Sequence, residues 1–416
     1  MAIIRPFKAL KPKKEFAEKV ASRPYDVLNS QEAKKEAAGN NYSFLRITKS
    51  EIDLPDGMDT HSQQVYDKAK SNLEMFIQNG ILFLEERPCY YIYQLVMPAH
   101  HSPGGGGNGK SQTGLVCLSS IEDYFNDVIK KHELTRPEKE KDRIDHMRTI
   151  RAQTGNVFMA YRDVMEINAL INGWKAKNTP EYDFIADDGI QHTLWVINRD
   201  DVINSITNLF ATKVPNTYIA DGHHRAASAA KVSKQLPESE AARFFLTTIF
   251  PESQLAILDY NRVVKDLNDL TTEEFIGALQ EDFMITYSPE PVKPAMLHEF
   301  GMYLEDEWYI LTAREGTYRD NPIDVLDVSI LQKNVLDKIL DIEDPRTDTR
   351  VDFVGGIRGL EELEKRVKSG EMAAAFSLYP VTIEQLFAIA DSGKVMPPKS
   401  TWFEPKLRDG LLTNLI

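Results

Sequence analysis

Near the middle of the chain, Tyr218-Ile219-Ala220-Asp221-Gly222-His223-His224-Arg225 sets a carboxylate, two imidazoles and a guanidinium within five consecutive residues. The apolar run Thr217 to Ala220 leads into Asp221-Gly222 and then an Ala-rich segment, a pattern that predicts strand, tight turn and helix. Asp221 is suited to cap that helix, and Gly222 lets the backbone turn closely. The N–H groups of His223, His224 and Arg225 would then be unpaired in the first helical turn. Unpaired N–H groups, the positive end of a helix dipole, two imidazoles and a guanidinium together make a place for an anion such as phosphate. Ordinary capping-turn residues are the competing reading, but two histidines and an arginine have no packing use at the start of an Ala-rich helix.

Three further clusters could serve such a site. Arg23-Pro24-Tyr25-Asp26-Val27 reads as a short extended segment between helices Lys13–Ser22 and Gln31–Ala38, because Pro24 keeps Arg23 out of the α region. Asn29-Ser30 can cap the second helix. His132-Glu133-Leu134-Thr135 follows a predicted helix from about Ile121 to Lys131. It precedes a charged helix, Glu138 to Gln153, for which Thr135 is the expected N-cap. The cluster is therefore expected at a helix–helix corner, with Asp142 and Arg143 one to two turns beyond. Near the carboxy terminus, Met396 to Lys406 reads as an extended, proline-stiffened arm carrying Lys399, Ser400, Thr401 and Lys406 as phosphate-type donors. Docking of this arm by Trp402 and Phe403 is the structural alternative.

A fourth stretch imitates a known device. Gly104 to Ser111 satisfies the G-x-x-x-x-G-K-S phosphate-loop pattern. A working phosphate loop must open into a helix whose N–H groups cradle the phosphates, whereas here Leu115 to Ser119 reads as a strand. The stretch is expected to be a glycine-rich hairpin tip, and His100-His101 has no further ligands beside it for a metal.

The bulk numbers narrow the setting. The 416 residues are 42% hydrophobic and 27% charged, enough for a sizeable core in two or three packed units. Lys and Arg total 49 against 63 Asp and Glu, a net charge of -14 that argues against non-specific nucleic-acid binding. Cys89 and Cys117 are too few for a disulfide framework and read as core thiols. No segment resembles a signal peptide or approaches the roughly 18 apolar residues of a membrane span, so a cytoplasmic protein is expected.

Strands and helices alternate from Asn156 to Phe250, which predicts a mixed α/β core. A composition shift near Tyr260 to Thr272 suggests a boundary. Residues 1–260 are expected to form the core with helical insertions, and residues 261–416 a smaller α+β domain ending in the arm.

These pieces together resemble one bacterial family, domain of unknown function 1015. The resemblance rests on Arg5-Pro6-Phe7-Lys8-Ala9-Leu10, Pro24-Tyr25-Asp26-Val27, Lys131-His132-Glu133 with Thr135, Asp142-Arg143, Asp221 to Arg225, and Met396 to Lys406. Through the Gly-His-His-Arg turn it extends to the ParB/sulfiredoxin-like superfamily, whose members bind nucleotides there and include kinases of free L-serine. The resemblance implies a mixed α+β fold with a ParB/sulfiredoxin-like nucleotide-binding core. It further implies a phosphotransferase using ATP or ADP with Mg2+ on the hydroxyl of a small metabolite such as L-serine.

On that reading Asp221, Gly222, His223, His224 and Arg225 bind the nucleotide with Lys399, Ser400 and Thr401, and Asp221 is the metal ligand. Glu133 or Asp26 is the base, His223 is a further catalytic candidate, and Arg23, Tyr25, His132 and Thr135 face the substrate. This chain is much longer than a minimal ParB-like domain, and no motif places the acidic base. Two rivals stand beside this reading. A ParB-like regulator would bind nucleotide without chemistry, although no basic recognition helix is visible. A phosphate-ester hydrolase would use His223 or His224.

Overall fold

In a computed structural model the structure describes residues 1–98, 110–255 and 257–416. The chain divides into two compact units, Met1–Leu255 with Pro405–Ile416, and Ala256–Glu404.

The first unit is built on a mixed sheet of β1 Ile4–Arg5, β2 Tyr90–Val96, β3 Ser111–Ser120, β4 Ile129–Lys130, β5 Val157–Tyr161, β6 Tyr182–Ile185, β7 Gln191–Ile197, β8 Thr217–Asp221 and β9 Phe244–Pro251. Their order is β4-β8-β5-β9-β3-β2-β7-β6, with β1 against β3. The β4/β8 and β5/β9 pairs are parallel and the rest antiparallel. Every residue of β5 and β9 is buried, which is why β5 reads as a continuous apolar run and β9 as one broken only by Thr247 and Thr248. β2 and β3 form the expected hairpin, paired from Tyr91↔Val116 to Val96↔Ser111. Ser111 thus opens a strand where a phosphate loop needs a helix, and His100 to Gly109 lies outside the described residues.

Three helices frame the turn: α1 Gln63–Gln78, α2 Pro137–Ile150 and α3 His223–Gln235. α3 buries Ala226, Ala227, Ser228, Ala229 and Ala230. Small side chains let α2 approach it closely, and α1 packs against α2 in turn. Cys89 and Cys117 are buried and free, and no helix among the described residues is long and apolar enough to cross a membrane.

The helix expected from Ile121 to Lys131 ends at Phe125. Asp127 takes a left-handed φ of 59°, and Lys130 pairs in parallel with Tyr218. The cluster at His132 to Thr135 therefore follows a strand. At the other end of the chain, residues expected to belong to the carboxy-terminal domain are woven into the first unit. Asn414–Leu415 pair with Ala152–Gln153, Thr413 bridges Leu10, and Asp409 bridges Ser22.

The second unit holds an antiparallel sheet in the order Phe283–Ser288, Glu307–Ala313, Glu299–Leu304, Ala374–Leu378, Tyr260–Val264, Val351–Gly355. Helices Thr272–Leu279 and Ile383–Asp391 each start in a capping box, Thr271 with Glu274 and Thr382 with Gln385. A short helix, Asp327–Leu331, runs on into wider turns over Gln332–Asp337. The chain as a whole is mixed α+β, as expected.

Gly410 shows how tightly the terminal segment is seated. Its φ is 91°, and a Cβ there would lie 2.7 Å from Phe44. Gly410→Ala should lower stability by roughly 2–4 kcal/mol, combining left-handed strain with overpacking. Urea unfolding measures this, and an unchanged midpoint would mean that the segment is not packed as described.

Candidate phosphate site at the Asp221–Arg225 turn

β8 slips register between Ile219 and Asp221 against β5, a bulge that re-aims the end of the strand. Asp221, expected as the helix cap, is instead the last strand residue, and its carboxylate is 3.0 Å from Lys406 Nζ. Gly222 takes the cap position at φ 96°, ψ 29°, a left-handed conformation that favours glycine. No side chain caps the helix, and its first turn carries no acidic residue. The first-turn N–H groups of a 13-residue helix are thus left to other partners.

The two histidines hold the neighbouring segment. His223 Nε2 accepts the His132 N–H at 3.5 Å, and its Nδ1 is 3.7 Å from the Glu133 carboxylate. The His132 and His223 rings meet edge to face at 4.5 Å. His224 Nε2 accepts the Arg136 N–H at 3.0 Å. Burial pushes His223 well below the usual imidazole range, His132 to about 4, and His224 downward. All three rings are therefore neutral near pH 7. Thr135, expected as a cap, donates to Glu140, and Arg136 takes the cap position ahead of Pro137. Glu140 also pairs with Lys231 on α3.

Arg225 is buried, and it is compensated from several directions. Its Nη1 donates to the Asn156 carbonyl at 2.6 Å and its Nη2 to Asp26 Oδ2 at 2.7 Å. Its Cζ lies 5.5 Å from the Tyr25 ring centroid. Burial disfavours the charge, but Asp26, Tyr25, Asp221 and Asp409 more than offset this and hold Arg225 protonated. Tyr25 also meets Arg143, whose Cζ lies 3.9 Å from its ring centroid, and burial followed by the Asp26 charge pushes its hydroxyl up to about 12. Gly155 leaves room here, since a Cβ would sit 3.3 Å from Arg225 Cδ and 3.5 Å from Asp409 Oδ1. A cavity of about 30 Å³ lies against Tyr25, Arg143, Gln153, Gly155 and Arg225, room enough for water.

The structure thus gathers Tyr25, Asp26, His132, Glu133, Asp221, Gly222, His223, His224 and Arg225 around one turn, with Thr135 adjoining through Glu140. Arg23 turns away to Glu36, its Nε 2.6 Å from the carboxylate. Lys399, Ser400 and Thr401 belong to the second unit. There Lys399 Nζ lies 5.7 Å from the Tyr260 ring, and Ser400 donates to the Pro397 carbonyl at 2.7 Å. Among the described residues no group of three or more His, Cys, Asp or Glu could hold a metal ion. Asp221 contributes a single carboxylate, already paired with Lys406. Asp409, Asn156 and Glu140 were not singled out by the sequence reading.

Residues 4–329 match the family described as Protein of unknown function (DUF1015). The chain belongs to this family. The match in this DUF1015 chain covers Tyr25, Asp26, the 132–136 segment and the turn, and ends before Lys406 and Asp409. Similar solved structures include a free serine kinase mutant in complex with AMP, at 12% identity over 72% of this chain and 91% of that one, TM-score 0.36. A conserved hypothetical protein from Pyrococcus furiosus gives 14% identity over 73% and 95%, TM-score 0.34. SbnI from Staphylococcus aureus with a C-terminal truncation gives 11% over 72% and 87%, TM-score 0.32. No curated protein matches. At such distances the chemistry of the DUF1015 turn rests on its own residues.

Asp409 supplies a direct test of the cluster. Burial raises its carboxyl to about 7 despite Arg225, and among the described residues Oδ2 has no hydrogen-bond partner. An unfolded carboxyl titrates at about 3.9, so the folded protein binds the extra proton between the two values and loses stability as pH rises from about 4 to about 7. Asp409→Asn cannot ionise. Its stability relative to wild type should therefore climb across that window in urea unfolding at stepped pH, and a flat difference would contradict the buried, protonated form.

Proposed function

We propose that the Asp221–Arg225 turn is the phosphate site of a nucleotide-dependent phosphotransferase acting on the hydroxyl of a small polar metabolite, with free L-serine the first acceptor to test. The supporting observation is the start of α3 at left-handed Gly222, where no N-cap side chain bonds the first turn and no acidic residue lies in it. Phosphoryl transfer depends mainly on positioning and charge compensation. In this reading the main-chain N–H groups receive the phosphates of ATP or ADP. Arg225, fixed by Asp26 and Asn156, supplies an adjacent positive charge that does not titrate. His223 and His224 hold the 132–136 segment against the turn. Lys406, paired with Asp221 at 3.0 Å, is a cation close to the turn. Asp26 keeps Oδ1 beyond its bond to Arg225, and Glu133 is about half exposed beside His223. Either would accept the acceptor's proton. Magnesium, held by Asp221 directly or through water, would supply further neutralisation of phosphate charge.

The test is incubation of the pure protein with ATP or ADP, magnesium and a panel of hydroxylated metabolites, with phosphorylated product read by mass spectrometry. Product with one acceptor supports transfer. Binding in calorimetry without product would favour a regulatory role, and neither binding nor product overturns the nucleotide reading. Lys406→Ala should weaken nucleotide binding by roughly 1–3 kcal/mol, the worth of a charge-assisted contact. Unchanged affinity would leave Lys406 as a counter-ion of Asp221 alone.

A further inference from the structure

In the second unit the proline-stiffened arm touches an arginine that has no acid to pair with. Of the buried arginines Arg225, Arg262 and Arg408, the first pairs with Asp26 and the last with Asp188. Arg262, in the strand Tyr260–Val264 and only 3% exposed, has no carboxylate partner among the described residues. Its Nη1 donates to the Tyr260 carbonyl and its Nη2 to the Pro398 carbonyl at a long 3.4 Å. Its Cζ lies 5.2 Å from the Phe353 ring centroid. A guanidinium carries more N–H donors than these two bonds employ. Its charge is left without an answering acid, and burial pulls Arg262 down to about 10, with Tyr260 opposing the shift.

The segment that Arg262 touches carries a second cation. Lys399 takes a left-handed φ of 57°, where glycine or asparagine is the usual choice. It is exposed, its Nζ lies 5.7 Å from the Tyr260 ring centroid, and it makes no ion pair among the described residues. The main-chain N–H groups of Lys399 and Thr401 have no hydrogen-bond partner among the described residues either. Ser400 spends its hydroxyl on the Pro397 carbonyl at 2.7 Å, which fixes the bend. The acids nearest in sequence are committed elsewhere, Glu404 to Trp402 Nε1 at 2.8 Å and Asp259 to Asn261 Nδ2 at 2.6 Å. Both cations thus meet at Tyr260, Arg262 on its carbonyl and Lys399 on its ring, with no carboxylate to compensate either. Like charges and open N–H groups gathered at one residue cost free energy, which a doubly negative group recovers.

We propose that the 397–401 turn and Arg262 form a second phosphate site, built by residues of the second unit alone. Lys399 Nζ and the N–H groups of Lys399 and Thr401 hold the phosphate oxygens, and Arg262 supplies the other positive charge from behind the Pro398 carbonyl. Phosphate is favoured over carboxylate because a dianion answers two unpaired cations and a carboxylate only one. The left-handed lysine is accounted for as well, because its ammonium is needed at that point of the turn. The site depends neither on the Asp221–Arg225 turn nor on the phosphotransfer reading.

The test follows the thermal midpoint of the full chain in inorganic phosphate and in AMP, each against potassium chloride at equal ionic strength, with affinity read by calorimetry. One or both ligands should raise the midpoint more than chloride does. Lys399→Asn suits the left-handed turn while removing the charge, and it should weaken that binding by roughly tenfold or more. Arg262→Met should abolish the response yet leave the midpoint in phosphate-free buffer no lower than that of the wild type, because it removes an uncompensated buried charge. Arg262→Lys should keep part of the response. A Lys399-dependent response to inorganic phosphate identifies the free ion as a ligand, and one to AMP alone identifies phosphate carried on an organic group. Three results would overturn the assignment: no response to either ligand beyond that to chloride, a response that survives both Lys399→Asn and Arg262→Met, or a lower midpoint for Arg262→Met without phosphate. Lys399 is exposed, so its variant reports on binding even where the Arg262 variants fold poorly.

Discussion

A guanidinium buried beside a tight turn is the constraint on which this site depends. Taking Arg225 out of water costs several kcal/mol unless its charge and its N–H groups find partners. Those partners come from distant parts of the chain, the Asn156 carbonyl ahead of β5 and Asp26 and Tyr25 on the amino-terminal segment, while Asp409 near the carboxy terminus packs beside them. The turn therefore cannot take its final form until both ends of the chain have docked on the first unit. Ser22 and Asp409 exchange backbone hydrogen bonds at 3.1 and 2.9 Å, so the two ends reach Arg225 as one paired layer. Lys406 comes to Asp221 on the same segment, which makes the second charge pair of the turn depend on the same docking.

Much of this was legible where local chemistry decides structure. Thr217 to Asp221 is a strand because each residue up to Ala220 is buried against neighbours on both sides. Asn29 caps its helix in a box with Glu32, as the spacing suggests. The misreadings arise where a distant partner overrides the local pattern. Ile129 and Lys130 continue an amphipathic run, yet they pair with Thr217 and Tyr218 and so become strand. Asp221 has the chemistry of a cap, but its place in the ladder opposite Phe158 and its pairing with Lys406 take it first. Leu407 to Ile416 shows neither helical nor alternating periodicity. Its conformation comes from pairing with Leu10, Ser22 and Gln153, which no local window contains. Arg23 and Asp26 look alike as charged loop residues, and only the turn after Pro24 separates them, sending Arg23 to Glu36 and Asp26 to Arg225.

The division of labour at the turn then follows from protonation. His223 and His224 invite the idea of positive charge aimed at phosphate, but burial keeps both neutral, and each spends Nε2 on accepting a backbone N–H. They hold His132 to Arg136 in place; they do not add charge. The fixed charges are paired, Arg225 with Asp26 and Lys406 with Asp221, so the turn is close to balanced and does not draw anions by net field. An anion that settles there gains most from the oriented N–H groups of α3 and from a Lys406 that must leave Asp221 to reach it. Such a site discriminates by geometry and by the cost of breaking existing pairs. The acidic balance of the whole chain, -14, works in the same direction by leaving no general attraction for phosphate polymers.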